Sequence, residues 1–153
     1  MANIVFNIAK GRVVEYYNRV KGNDPANSAI ILVPIETSGL EADSTLIDVD
    51  TLAALIAGAT NEQTTMGRKT LTDAELATLP APDDTNDRYE VSLPTVTWTA
   101  ASGNAISKIA VCYDPDTTGG TDSNIIPLTM FDFAQTPSGA DIQMTTGVFF
   151  RAS

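Results

Sequence analysis

Histidine is missing from all 153 residues, and Cys112 is the one cysteine. These absences exclude a Ser-His-Asp or Cys-His nucleophile, a histidine general base and a histidine-bearing zinc site. A lone thiol supplies neither an all-cysteine zinc site nor an internal disulfide. Glycosidase-type chemistry would need two carboxylates held in a cleft with separated pKa values, yet nearly every Asp here sits beside Pro, Gly, Thr or Asn in loop-like sequence. No Gly-rich phosphate-cradling spacing occurs. The expectation is therefore a protein that is not an enzyme, with no catalytic residue, no metal and no cofactor. Long apolar runs are also lacking. The longest, Ala29 to Val33 with Ile35 beyond Pro34, is too short for a bilayer, and Met1 to Gly11 lacks the pattern of a secretion signal, so neither a membrane anchor nor export is expected. A single cysteine fits assembly in a reducing cytoplasm.

Basic residues are scarce too, nine against 19 acidic, for a formal net charge of −10. Phosphates would be repelled, so no nucleic-acid partner is expected. The scarcity is uneven. Residues 1–21 hold Lys10, Arg12, Arg19 and Lys21 against Glu15 alone, while the remainder holds five basic and 18 acidic residues. Two readings stand side by side: a first strand whose charges face water, or a basic arm that docks on an acidic neighbouring surface. With 43% hydrophobic residues the rest has enough for one core. The division expected is residues 1–21 as N-terminal arm or first strand, and 22–153 as a single β-rich domain.

The punctuation predicts a mainly β fold, a compact β-sandwich or barrel-like domain with one or two short helices and an extended N-terminal arm. As a strand, Arg12 to Val20 puts apolar groups on both faces. Gly22-Asn23-Asp24-Pro25 is a turn, and Ser28 to Ile35 a buried strand in which Pro34 must meet an edge or a bulge. Asp48 is expected to cap a helix of about three turns carrying Leu52, Leu55 and Ile56, stopped by Gly58. Thr72 and Glu75 form a capping-box pair before a second short helix that buries Leu71, Leu76 and Leu79. Further on, Tyr89, Val91 and Leu93, then Val96, Trp98 and Ala100, alternate as a strand pair. Ile109, Val111 and Tyr113 share one face of the next strand, with Ala110 and Cys112 on the other. Ile125 to Phe133 and Val148 to Phe150 supply the last strands, around the turn Thr136 to Gly139.

Three groups of residues invite a functional reading, and each has a plainer one. Asp114, Asp116 and Asp122 flank a Gly-containing loop able to offer oxygens to Ca²⁺, but the spacing is not that of an EF-hand, and a hairpin with positive φ at Gly119 or Gly120 explains it better. Asp83, Asp84 and Asp87 are ordinary turn formers. Phe149 and Phe150 belong either to the last core strand or to a patch buried against another subunit. Trp98 is assigned to the core, and Cys112 is a small buried apolar residue.

Several stretches are distinctive together: Lys10-Gly-Arg-Val-Val14, Asn23-Asp-Pro-Ala-Asn-Ser-Ala29, Arg68-Lys-Thr-Leu-Thr-Asp73, Pro80-Ala-Pro-Asp-Asp-Thr-Asn-Asp-Arg88, Cys112-Tyr-Asp-Pro-Asp-Thr-Thr-Gly-Gly-Thr-Asp122 and Phe149-Phe150-Arg151. Across nearly the full length they resemble a family of small virion proteins of tailed bacteriophages. The resemblance implies a capsid decoration, or cement, protein on the outer surface of the expanded head, made in the host cytoplasm. Its partners would be the major capsid protein and further copies of itself, with a trimer favoured. Lys10, Arg12, Arg19 and Lys21 would be the capsid-binding arm, and Phe149 with Phe150 the subunit interface. A tail or head-to-tail junction protein, and a receptor- or carbohydrate-binding virion module, are the alternatives.

Overall fold

The computed structural model describes residues 4 to 153. Its centre is a five-stranded antiparallel sheet in the order β1-β7-β6-β2-β3. The strands are β1 (Ile4–Val5), β2 (Ala29–Glu36), β3 (Lys69–Leu71), β6 (Ile106–Asp114) and β7 (Ile126–Gln135). Period-two alternation gives this sheet two oily faces. Ile30, Leu32, Ile109, Val111, Tyr113, Leu128 and Phe131 belong to one hydrophobic cluster, and Ile31, Val33, Ile35, Ala110, Cys112 and Met130 to another. Each face is covered, so the mainly β expectation takes a layered form. The sheet stays open at β1 and β3 and does not close into a barrel.

One covering layer is the helix α1 (Val13–Lys21) with a two-stranded ribbon. Here the sequence expectation needs correction: residues 13 to 21 form neither a strand nor an extended arm. Val13, Tyr16, Tyr17 and Val20 repeat at helical spacing and are all buried, 3% exposed or less. Glu15 in the first turn and Arg19 and Lys21 in the last complement the helix dipole. Gly22 ends the helix, its N–H bonding the Asn18 carbonyl, and Asn23 turns the chain at φ 50°. The apparent apolar groups on two faces of a strand are one stripe of a helix.

One edge of the ribbon is β4 (Tyr89–Leu93) followed by β5 (Val96–Trp98), which do not pair with each other. β4 pairs with β9 (Gly147–Ala152), and β5 with β8 (Ile142–Met144), a strand the sequence analysis missed. Leu93 lies opposite Gly147 and Val96 opposite Met144, so one antiparallel register runs through both ladders across the break at Pro94. Thr146 bridges that break, donating from its N–H to Thr95 Oγ1 (3.1 Å) and from its hydroxyl to the Leu93 carbonyl (2.7 Å). The ribbon turns its oily side, Val91, Leu93, Val96, Trp98, Ile142, Met144 and Phe149, onto the sheet.

The opposite face is covered by Phe6 and two one-turn helices, α2 (Asp43–Leu46) and α3 (Leu52–Leu55), which bury Leu46, Leu52 and Leu55. The helix expected after Asp48 is thus shorter than predicted, and Thr51 caps it by accepting from the Ala54 N–H (3.1 Å). Asp48 instead accepts a hydrogen bond from the Asn7 side chain. Thr72 and Glu75 do form their box, with the Thr72 N–H donating to the Glu75 carboxylate (2.7 Å), but only a turn follows before Pro80. Leu71 and Leu76 are buried as predicted and Leu79 half-buried. Pro34 lies beyond the last β3 partner, Leu32 opposite Lys69, and next to a register shift at Ile35. Its position thus meets the expected edge or bulge.

Candidate functional site

The four cations assigned to an arm sit on or beside an anchored helix. Lys10, Arg12 and Arg19 are exposed, and Lys21 is half-buried with its Nζ donating to the Asp73 carbonyl (2.8 Å). Glu15 lies one turn from both arginines. It accepts from Arg12 Nε at 3.1 Å and from Arg19 Nε at 3.1 Å, in the i,i+3 and i,i+4 relation that puts three side chains on one helical face. The Arg12 hydrogen bond draws the Glu15 carboxyl below its usual range, ahead of the smaller pull of Arg19.

Phe149 and Phe150 part company. Phe149 is 1% exposed, packs within the main core and stacks on Tyr17 with centroids 6.1 Å apart. Burial within its own chain removes it from the proposed subunit interface. Phe150 stands opposite Val91 in the ribbon and is half-buried, so it alone retains ring surface for a partner.

Four of the six loop aspartates are spent internally, while Asp84 and Asp87 are exposed. Asp114 Oδ1 accepts from the Asp116 N–H (2.9 Å), and Asp116 Oδ1 from the N–H and hydroxyl of Thr118 (3.0 and 2.6 Å). These are turn-stabilising bonds, and the Thr118 hydroxyl holds the Asp116 carboxyl below its ordinary range. Asp122 is bound elsewhere, and among the described residues no three such side chains gather as a metal site. Neither Gly119 nor Gly120 takes positive φ, contrary to expectation. Gly120 is required for space: a Cβ there would meet the Asp116 carbonyl oxygen at 2.6 Å. Asp83 closes its own turn through the N–H groups of Thr85 and Asn86 and an ion pair with Arg88 (3.2 Å).

An ion cluster absent from the sequence reading links distant loops. Arg68 donates to both Glu62 oxygens (2.7 and 2.6 Å) and to both Asp122 oxygens (2.7 and 2.9 Å). Two bidentate pairs on one guanidinium push its pKa up, with Asp122 the larger cause, and hold the Asp122 carboxyl down. The only advance signals were one arginine and two acids, 6 and 54 positions away, which no local pattern connects. Lys108 was likewise overlooked. Burial alone would lower its pKa, but its contacts to Asp132 (2.6 Å) and Asp43 (3.3 Å) outweigh that and raise it.

Compared with protein-family models, with curated proteins and with solved structures, the chain has no match.

Trp98 and Cys112 are where the sequence analysis put them. Trp98 is 1% exposed and donates its indole N–H to the Gly67 carbonyl (2.9 Å), so its ring offers no platform for a sugar. Cys112 is fully buried in β6, and burial pushes its thiol far above the usual range. The folded protein should therefore resist an aromatic disulfide reagent that labels the urea-unfolded chain within minutes; rapid labelling of the native state would show that β6 opens. A cleft of about 200 Å³ lies between α1 and β4, lined by Tyr17, Leu79, Pro80 and Glu90 among others. Its hydroxyl is already committed, since Tyr17 donates to the Ala77 carbonyl at 2.9 Å. No helix among the described residues is long and apolar enough to cross a membrane.

Proposed function

We propose that this chain is a non-enzymatic structural protein of a tailed-phage virion, and specifically a decoration protein that binds the outside of the expanded head between major capsid subunits. The observation that carries this reading is the internal use of the loop side chains. Of the six loop aspartates that the sequence singled out, Asp83, Asp114, Asp116 and Asp122 each bind within the chain, and Asp122 shares its arginine with Glu62. They tie turns to the sheet instead of lining a reaction cleft. A body braced in this way suits a part that must hold its shape under outward pressure and has no turnover to perform. The resemblance of nearly the full length of the sequence to small phage virion proteins supports the location. Copies associate as trimers at local threefold positions, closed symmetry being the common arrangement for such contacts. Of the two terminal phenylalanines, Phe150 is the one left to contribute there.

Co-sedimentation tests this directly. Purified protein should pellet with expanded, undecorated heads and saturate at a fixed ratio to the major capsid protein. Failure to pellet above the level of an unrelated acidic protein would remove the decoration role.

A further inference from the structure

The nine basic residues of the chain divide into two groups once their partners are drawn. Arg68 is held by Glu62 and Asp122, Arg88 by Asp83 and Glu90, Lys108 by Asp43 and Asp132, and Arg151 by Glu90. Lys69 reaches over the Trp98 ring, 6.0 Å from its centroid. The other four lie on or next to α1, where Glu15 is the sole carboxylate in residues 1–21. With Asp24 at the C-terminal end of the helix added to Glu15, four cations still face two carboxylates, a locally positive surface on a molecule of formal charge −10.

That surface is also pre-ordered. Glu15 binds Arg12 through Nε and Nη2 (3.1 and 3.3 Å) and Arg19 through Nε (3.1 Å). The Arg12 guanidinium lies over Tyr16, 4.6 Å from the ring centroid, and Tyr16 stacks in turn on Tyr113 of β6 with centroids 4.7 Å apart. The two forks are therefore fixed to the sheet before any partner arrives, which lowers the ordering cost of binding. Glu15 uses two of the five N–H donors of Arg12 and one of Arg19, so both keep donors for a further acceptor.

We infer that the outer face of α1 is a docking surface for a carboxylate-rich patch on a second, different protein. Arg12 and Arg19 each take an Asp or Glu carboxylate, and Lys10 adds charge two residues before Arg12. Carboxylates match the planar arginine fork, and an acidic patch is complementary to the sign of this face. A second copy of the chain is the poorer partner for this face, because most of its own loop carboxylates are already held by its cations and turn N–H groups. The inference rests on the decoration reading only for where the partner sits, namely on the shell.

The test uses the full chain, ¹⁵N-labelled, with a short oligo-glutamate peptide as probe in low salt. The Arg12 and Arg19 Nε–H signals should shift, and the shifts should vanish in high salt. In the double variant Arg12→Gln/Arg19→Gln, whose exposed substitutions leave the buried face of α1 intact, probe affinity should fall about tenfold, the worth of two exposed ion pairs. Unmoved arginine signals, or equal shifts with oligo-lysine, would overturn the inference. Preferential uptake of a short DNA duplex by the same face would replace the acidic protein with nucleic acid. The same variant mixed with expanded heads separates the two proposals. Undiminished head binding would sink the α1 surface and leave the decoration reading standing; a wild type that takes the probe but not the heads would do the reverse.

Discussion

Phe149→Ala is expected to lower the unfolding free energy by about 3–5 kcal/mol, whereas Phe150→Ala costs less than half of that. The two rings are adjacent in sequence, yet alternation along β9 sends them to different places. Phe149 goes down onto Tyr17 of α1, 1% exposed, in the cluster that joins helix, ribbon and sheet. Removing it leaves a cavity that α1 and the ribbon cannot both close, so the transfer and cavity costs add. Phe150 is half-buried opposite Val91, and its loss is shared with solvent. Urea denaturation of both variants measures the difference. Equal and small effects would mean that the last strand is not docked as described.

Arg68→Met should be the next most damaging change, at about 2–4 kcal/mol near neutral pH, because it strands two carboxylates that the fold has drawn together. The Glu62 side chain is only 9% exposed, and Asp122 sits one-third exposed on the loop between β6 and β7. With the guanidinium gone, the pair repels across a poorly solvated gap. The triple variant Arg68→Met/Glu62→Gln/Asp122→Asn should recover a large part of the loss, since it removes the unpaired charge and keeps the shape. Acid gives a second readout. In the wild type the Arg68 bond depresses the Asp122 carboxyl, against the opposing effect of burial. A depressed folded-state pKa contributes stability above the ordinary Asp value near 4, and that contribution fades as pH falls through the lower folded-state value. The gap between wild type and Arg68→Met should therefore narrow in urea titrations as pH drops from neutral to about 3. A gap that is independent of pH would mean that Arg68 acts through packing alone.

Much of the sheet could be read in the sequence because its information is local. The two faces of β6 are written in the alternation of Ile109, Val111 and Tyr113 with Ala110 and Cys112, and the oily run of β2 declares a strand covered on both sides. Helix α1 misled for an instructive reason. Val13-Val14 and Tyr16-Tyr17 are β-favouring residue types, while the spacing 13, 16, 17, 20 is helical, and packing against Ile30 and Tyr113 decided for the spacing. β8 escaped because three residues between two turns carry too little pattern, and because its partner β5 lies over forty positions away. The candidate site follows the same division. The basic content of residues 1–21 was plain from composition, but its presentation on a fixed helical face was not. The Arg68 cluster joins segments that only the completed β6–β7 hairpin brings together.

Where the protein binds is decided by imaging. Expanded, undecorated heads should be incubated with purified protein and examined by electron cryomicroscopy. Added density is predicted at every local threefold position, with α1 and its Arg12–Glu15–Arg19 face turned toward an acidic region of the shell. Bare shells, or density confined to the portal vertex or tail, would contradict the account and leave a junction or tail role in its place.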